Sequence, residues 1–292
     1  MAARLDSLRV RMADHSALLR QLDRADPAPP APVYVGGKRM LLQTRNGIRL
    51  LCDSRDLQIT PDLIFDRVWE PALTEFYEHA IQPGAQVLEI GAHIGYFTTL
   101  ACARAGDSGC VDAYEPHPRS YELLCANLRL NHFAHVARTF RQAVAATPGP
   151  VRLSAFEVNA ASSTLSTLPD RVLEEFGEHP REIESEAVTL DEQYRGVRQR
   201  FDFVKIDAEG SEALIFDGAR EFLATALKPD CVIVFEYNPP AAQGLGLQPA
   251  AALDHLAQLG FTLLELKPDG SQLPGPVLCG VVNATILARR AG

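Results

Sequence analysis

After Pro83-Gly84 the chain settles into an alternation that few architectures can absorb. Short runs rich in Val, Ile, Leu and Phe are separated by stretches of helical character. The runs are Gln86 to Ile90, Cys110 to Tyr114, Val136 to Val144, Phe201 to Ile206 and Cys231 to Phe235. Strands this apolar bury both faces, and parallel neighbours need crossover helices that cover those faces. The alternation predicts an α/β fold, a mostly parallel sheet with helices on both sides. Two tail runs, Phe261 to Leu266 and Val281 to Leu287, extend it, and no internal repeat is visible.

Upstream of the alternation the chain reads as two further segments, 1–32 and 33–83, ahead of a main domain at 84–292. Leu5, Leu8, Met12, His15, Leu19 and Leu22 form one helical stripe, which either docks on the main domain or pairs a homodimer. Asp26 to Pro32 is a stiff, proline-rich linker. Arg39 to Cys52 predicts a hairpin around Asn46-Gly47. Thr60 is the expected N-cap of a helix with Pro61 in its first position. Glu70-Pro71 ends that helix, and a second runs to Ile81.

The formal net charge of −9 and a pI near 5.4 leave no basic stripe for a phosphate backbone, so the expected partner is a small molecule and not nucleic acid. No run of apolar residues is long enough to span a membrane, and no leader is evident. The six cysteines are scattered without a CxxC pair, which favours a cytoplasmic protein with neither disulfides nor zinc.

Chemistry is concentrated at the ends of the apolar runs. Val87 to Thr98 is a strand ending in an acid, Glu89, followed by Gly91 and Gly95 at the entry to a helix. The spacing lacks the middle glycine of a dinucleotide fingerprint. Glu89 suits a cationic ligand such as the sulfonium and amino group of S-adenosylmethionine, although a plain tight strand–helix connection accounts for the same residues. One helix and one strand later, Glu115-Pro116-His117-Pro118 ends the second run, and Glu115 is placed to accept both hydroxyls of a ribose. Phe201 to Glu212 then delivers Asp207 and Glu209 to the carboxyl edge, with Glu212 suited to the first turn of the next helix. Glu236 and Asn238 end the following run. Asp207, Glu236 and Asn238, on adjacent tips, leave open a Mg2+ site of hard oxygen ligands.

These runs resemble the FkbM family of S-adenosylmethionine-dependent methyltransferases. The resemblance is carried by Val87 to Thr98, by Tyr114 to Pro118 with Asn127 and Asn131, and by Ser162-Ser163-Thr164-Leu165. Val188-Thr189-Leu190-Asp191 and Val204 to Glu212 complete it, so that it covers roughly residues 35 to 288. Lys205-Ile206-Asp207-Ala208-Glu209-Gly210 is its most specific part; His93 departs from it, standing where the family usually has Asn. The resemblance implies a Rossmann-like class I methyltransferase with a seven-stranded sheet, its last two strands an antiparallel hairpin of 261–266 against 281–287. It also implies cofactor contacts from Glu89, Gly91, Ala92, His93, Gly95, Glu115, Pro116 and Asp207, with Gln142 and Ala143 near the adenine. Family members act mainly on hydroxyls of natural products and sugars.

Displacement from a sulfonium needs an aligned acceptor and one proton removed. Asp207 is the first expected base or orienting group, Glu209 the second, and Glu236 stands on the neighbouring tip. Lys205 ranks behind them because strand alternation is read as pointing it away from the neighbours of Asp207. Competing readings are methyl transfer to nitrogen or a macromolecule, a nicotinamide-dependent oxidoreductase, and a scaffold that keeps the fold without catalysis. The segment before Pro83, the polar stretch Glu157 to Glu186 as a lid, and Pro239 to Gln248 are expected to select the acceptor.

Overall fold

The structure, a computed structural model, describes residues 30–159, 162–165, 178–198, 200–274 and 283–290. The chain divides into two compact units, Met1–Ala31 and Pro32–Gly292. The expected N-terminal helix, with any dimer it forms, lies outside the described residues.

The second unit opens with β1 (Val33–Gly36), β2 (Arg39–Gln43) and β3 (Arg49–Asp53), a small antiparallel sheet. The hairpin over Asn46-Gly47 is as expected, closed by Thr44 N on the Ile48 carbonyl at 2.8 Å. Helix α1 (Ile59–Phe65) begins before Thr60, so Thr60 is not its N-cap. The Asp56 carboxylate accepts Thr60 N at 2.7 Å in that role, and the Thr60 hydroxyl turns back to the Asp53 carbonyl. Helix α2 (Pro71–Ala80) starts at the Glu70-Pro71 break, with Pro71 in its first turn.

The main sheet is then built from β4 (Gln86–Ile90), α3 (Tyr96–Ala105), β5 (Cys110–Tyr114), α4 (Pro118–Leu130) and β6 (Ala137–Phe140). The chain leaves it through β7 (Ala143–Val144), β8 (Gly149–Ala155) and β9 (Arg181–Val188), which form a separate three-stranded sheet. It returns with α5 (Leu190–Gln193), β10 (Phe201–Ile206), α6 (Glu212–Asp217), α7 (Arg220–Thr225) and β11 (Leu227–Tyr237). Helices α8 (Pro239–Gly244) and α9 (Ala251–Gln258) lead to β12 (Phe261–Leu266), β13 (Gln272–Pro274) and β14 (Ala284–Arg290).

The strand order is β13-β12-β14-β11-β10-β4-β5-β6, with β6, β5, β4, β10 and β11 parallel and β14 antiparallel to both its neighbours. The sheet therefore has eight strands and not seven. After β12 the chain turns at Lys267–Gly270, where Lys267 N meets the Ser271 carbonyl, and β13 doubles back along β12 before the chain reaches β14. The run Val136 to Val144 is two strands, since β6 stays on β5 while β7 pairs with β9. The charged residues Arg181 to Glu186, expected in a lid, are strand β9 paired along β8; residues 166–177 of that stretch lie outside the described residues.

Adjacent residues of a strand point to opposite faces, and the core divides accordingly. Val87 packs with Leu100, Leu124, Tyr77 and Leu63 on one side of the sheet. Leu88 packs with Val204, Phe216, Phe235 and Leu256 on the other. Leu42 and Leu50 belong to the first of these cores, so residues of the 33–83 segment pack on the sheet itself. Among the described residues the five cysteines are unpaired, and no helix is long and apolar enough to cross a membrane.

The edge of β3 is satisfied by side chains. Asn127 Oδ1 accepts Leu51 N at 2.7 Å, while its amide donates to the Leu51 carbonyl at 3.1 Å and the Ile94 carbonyl at 2.8 Å. One turn later, Asn131 repeats the two-way exchange with Arg49. The spacing of four puts both amides on one face of α4, where they replace a missing strand. Asn127→Ala removes three bonds at a fully buried residue and is expected to lower stability by about 2–4 kcal/mol in urea unfolding. A loss below about 0.5 kcal/mol would contradict this docking role.

Candidate functional site

The chain runs from β4 outward through β5 and β6 on one side, and from β10 outward through β11 on the other. The crevice beyond the carboxyl ends of β4 and β10 is thus a topological switch point, where open α/β sheets bind ligands. The two tips are locked together, with Asp207 N on the Ile90 carbonyl at 3.0 Å. Gly91 and Ala92 both donate to the Tyr114 carbonyl. At Gly91, with φ +80°, a Cβ would fall 1.8 Å from the Asp207 carbonyl oxygen, so glycine is required by the closeness of the two strands. At Gly95 a Cβ would fall 2.6 Å from Leu124 Cδ1. Gly95 serves helix packing and, alone among the expected cofactor residues, does not line the cavity.

That cavity, about 640 Å³, opens over the strand tips. Glu89, Gly91, Ala92, His93, Glu115, Pro116, Gln142, Ala143, Asp207, Glu209, Glu236 and Asn238 all line it. Its roof was not foreseen residue by residue. Gln58, Trp69 and Glu70 come from the segment before Pro83, and Ser162 to Leu165 from the loop after β8. The two parts are tied by Leu57 N on the Val158 carbonyl at 2.9 Å and by Gln58 Nε2 on Ser162 Oγ at 2.7 Å. Asn283, just before β14, completes the wall. The one sequence sign of Glu70 was its place before Pro71, which marks a helix start and says nothing of a cavity.

Two acids stand over the tips of β4 and β5. Glu89 is buried and accepts Thr98 Oγ1 at 2.6 Å. Glu115 accepts His93 N on one oxygen at 2.7 Å and His117 N on the other at 2.8 Å. Burial pushes both carboxyls up to about 7, against these hydrogen bonds. The His93 imidazole is lowered to about 4, by loss of water and then by His117, so it is neutral.

Four more acids line the other side, with one ammonium among them. Lys205 Nζ lies 2.8 Å from Asp207 Oδ2 and 5.2 Å from the centroid of Phe97. Lys205 therefore faces Asp207, because residues two apart share a strand face. Burial opposes its charge, but Asp207, Glu89 and Glu70 together outweigh it and hold the ammonium above its ordinary range. Glu236 accepts Asn283 Nδ2 on Oε1 at 2.5 Å, and its buried Oε2 has no partner among the described residues. Burial, then Asp207, raises Glu236 to about 8, and burial with Glu236 raises Glu209 well above the carboxylate range. Glu70 reaches about 7 through burial and the repulsion of Asp207. Glu70, His93 and Glu209 all have positive φ, a clustering of backbone strain around one cavity.

One expected role changes, while Glu212 keeps its expected place in the first turn of α6. Asn238 Oδ1 accepts Ala241 N at 3.2 Å and caps α8, so its amide oxygen is already engaged. Glu212 does not line the cavity: its Oε1 accepts Ala208 N at 3.0 Å and Gly210 N at 3.3 Å, holding the loop that carries Glu209.

Carboxyls raised from 4.5 to about 7 bind more protons in the folded chain than in the unfolded one across that interval. Stability must then fall as pH rises through the window. Melting of the ligand-free protein is expected at lower temperature near about pH 8 than near about pH 5; a rise would contradict the burial of these acids. Gly91→Ala, which drives Cβ into backbone, is expected to unfold the protein or lower its stability by more than about 3 kcal/mol. A Tm within about 2 °C of the parent would show that the tips are not in contact.

The methyltransferase FkbM domain model matches residues 89–263, more than half of the chain. Among curated proteins none matches significantly. Solved structures of similar arrangement include an S-adenosylmethionine-dependent O-methyltransferase from Thermotoga maritima, at 12% identity and TM-score 0.43, covering 86% of this chain and 78% of that one. An O-methyltransferase from Bacillus cereus in complex with S-adenosylhomocysteine is 16% identical, with TM-score 0.42 and coverage of 75% and 81%. An rRNA methylase from Streptococcus thermophilus is 8% identical, with TM-score 0.42 and coverage of 75% and 95%. With its motifs on the strand tips of a mostly parallel sheet and the domain model spanning them, this chain belongs to the FkbM family of S-adenosylmethionine-dependent methyltransferases.

Proposed function

We propose that the chain methylates a hydroxyl of a small molecule, a natural product or a sugar, with the cofactor over the tips of β4 and β5. The arrangement of Glu115 carries the cofactor placement. Each of its carboxylate oxygens takes one backbone N–H and keeps a lone pair, a match for the paired hydroxyls of a ribose. Glu89, Gly91, Ala92 and His93 surround the methionine end, Pro116 borders the ribose, and Gln142 and Ala143 border the adenine. Bound there, S-adenosylmethionine supplies an electrophilic methyl group. The chain aligns the acceptor oxygen, excludes water under the roof of Gln58 and Ser162, and takes the hydroxyl proton as the O–C bond forms. Asp207 is the proposed base or orienting group: Lys205 holds one of its oxygens, and the other has no partner among the described residues. Glu209 and Glu236 stand beside it. An acidic cavity and a net charge of −9 favour a small acceptor over nucleic acid.

Magnesium is not part of this proposal. Asp207, Glu209 and Glu236 bring oxygens within 4.8 Å of one another. However, Asn238 Oδ1 is spent on α8, and the Lys205 ammonium already sits on Asp207, where it would repel a second cation. This donor set fits a hard divalent ion poorly.

Calorimetry tests the cofactor placement. S-adenosylmethionine and S-adenosylhomocysteine are expected to bind and NADH is not. Glu115→Ala is expected to weaken both cofactor forms by about tenfold to a hundredfold. Equal binding to the Glu115→Ala protein would remove Glu115 from the ribose, and no binding to the parent would favour a scaffold without catalysis. EDTA dialysis is expected to leave methyl transfer unchanged; loss of turnover restored by Mg2+ would overturn the metal-free account.

A further inference from the structure

We propose that the acceptor chamber is a cation subsite, and that the acceptor carries a protonated amine recognised by Glu70 and Glu236. This rests on the placement of the cofactor given above. The chamber beyond the cofactor side is walled by Glu70, Asp207, Glu209 and Glu236. Lys205 is the only lysine or arginine lining the cavity among the described residues, and it is engaged by Asp207. Among the described residues no salt bridge reaches Glu70, Glu209 or Glu236; burial and neighbouring acids raise all three carboxyls, which Lys205 offsets only in part at Glu70 and Glu209.

Two of them are also short of hydrogen-bond donors. Among the described residues Glu236 Oε2, sealed from solvent, accepts no hydrogen bond, although Asn283 satisfies Oε1. The Glu70 carboxylate has no hydrogen bond among the described residues, and its backbone is held at φ 43° immediately before α2. Glu209 differs, since Asn238 Nδ2 approaches its Oε2 at 3.5 Å. An acceptor buried without a partner is matched by a ligand that brings a donor. A neutral alcohol brings one donor, which the transfer itself consumes. An ammonium brings three donors and the missing charge, and it bonds carboxylates more strongly than a neutral group does. The chamber therefore fits an amino alcohol or amino sugar whose hydroxyl is methylated beside its protonated amine.

The test needs no knowledge of the acceptor. Sinefungin carries an amine at the position of the transferred methyl, and S-adenosylhomocysteine carries nothing there. Both are titrated by calorimetry against EDTA-treated parent, Glu70→Gln, Glu236→Gln, the double variant, and Glu122→Gln as a charge control on exposed α4 surface. Sinefungin is expected to bind the parent more tightly than S-adenosylhomocysteine, and the double variant to lose about tenfold or more of that preference. Affinity for S-adenosylhomocysteine and the behaviour of Glu122→Gln are expected to stay at parent level. A preference unmoved by both substitutions overturns the cation subsite. Loss of S-adenosylhomocysteine binding in the parent overturns the cofactor placement instead. A separate arm titrates MgCl2 alone: saturable binding that abolishes the sinefungin preference assigns the charge to a metal and overturns the amine.

Discussion

Lys205 Nζ sits 2.8 Å from Asp207 at a residue only 4% exposed, delivered there by β10 and roofed by the ring of Phe97. An ammonium taken so far from water is tolerated only where opposite charge surrounds it, and Asp207, Glu89 and Glu70 supply that charge. The dependence runs both ways. Without this ammonium, acids on the tips of β4 and β10 and on the N-terminal segment would face one another uncompensated in a closed cavity. The close approach of β4 to β10, which requires glycine at position 91, brings these charges together and fixes the floor of the crevice. Fold and site thus share one constraint: two strand tips in contact, with one cation between their carboxylates.

Much of this was legible in the sequence, and for physical reasons. Parallel strands bury both faces, so their apolar runs stand out, and ligands gather at their carboxyl ends, so acids at the ends of the runs were conspicuous. Glu89, Glu115, Asp207, Glu209 and Glu236 all reach the cavity. Gly91 and Gly95 suit the tight strand–helix connection read from the sequence, but the groups that require them, the Asp207 carbonyl and Leu124, lie far along the chain. Those contacts are long-range and leave no local trace.

The misses follow the same division. Position β13, three exposed residues at the sheet edge, carries no apolar signature. Strand β9 alternates charged residues over 181–186, where its side chains are largely exposed, and that pattern resembles a loop. Thr60 looked like a helix cap until Asp56, four residues upstream, proved to hold the first turn. Glu70 could not be identified as a cavity residue from its neighbours in sequence, because only the packing of α2 on the sheet brings it opposite Asp207.

In the proposed complex the crevice over β4, β5 and β10 holds S-adenosylmethionine, with its methyl directed toward the acids of the acceptor chamber. A crystal structure of the protein grown with S-adenosylhomocysteine tests it most directly. The account predicts both ribose hydroxyls on Glu115, the methionine amino group beside Glu89 and the adenine against Gln142 and Ala143, with the sulfur facing Asp207. A ligand bound elsewhere, or one in this crevice with its ribose away from Glu115, would contradict it.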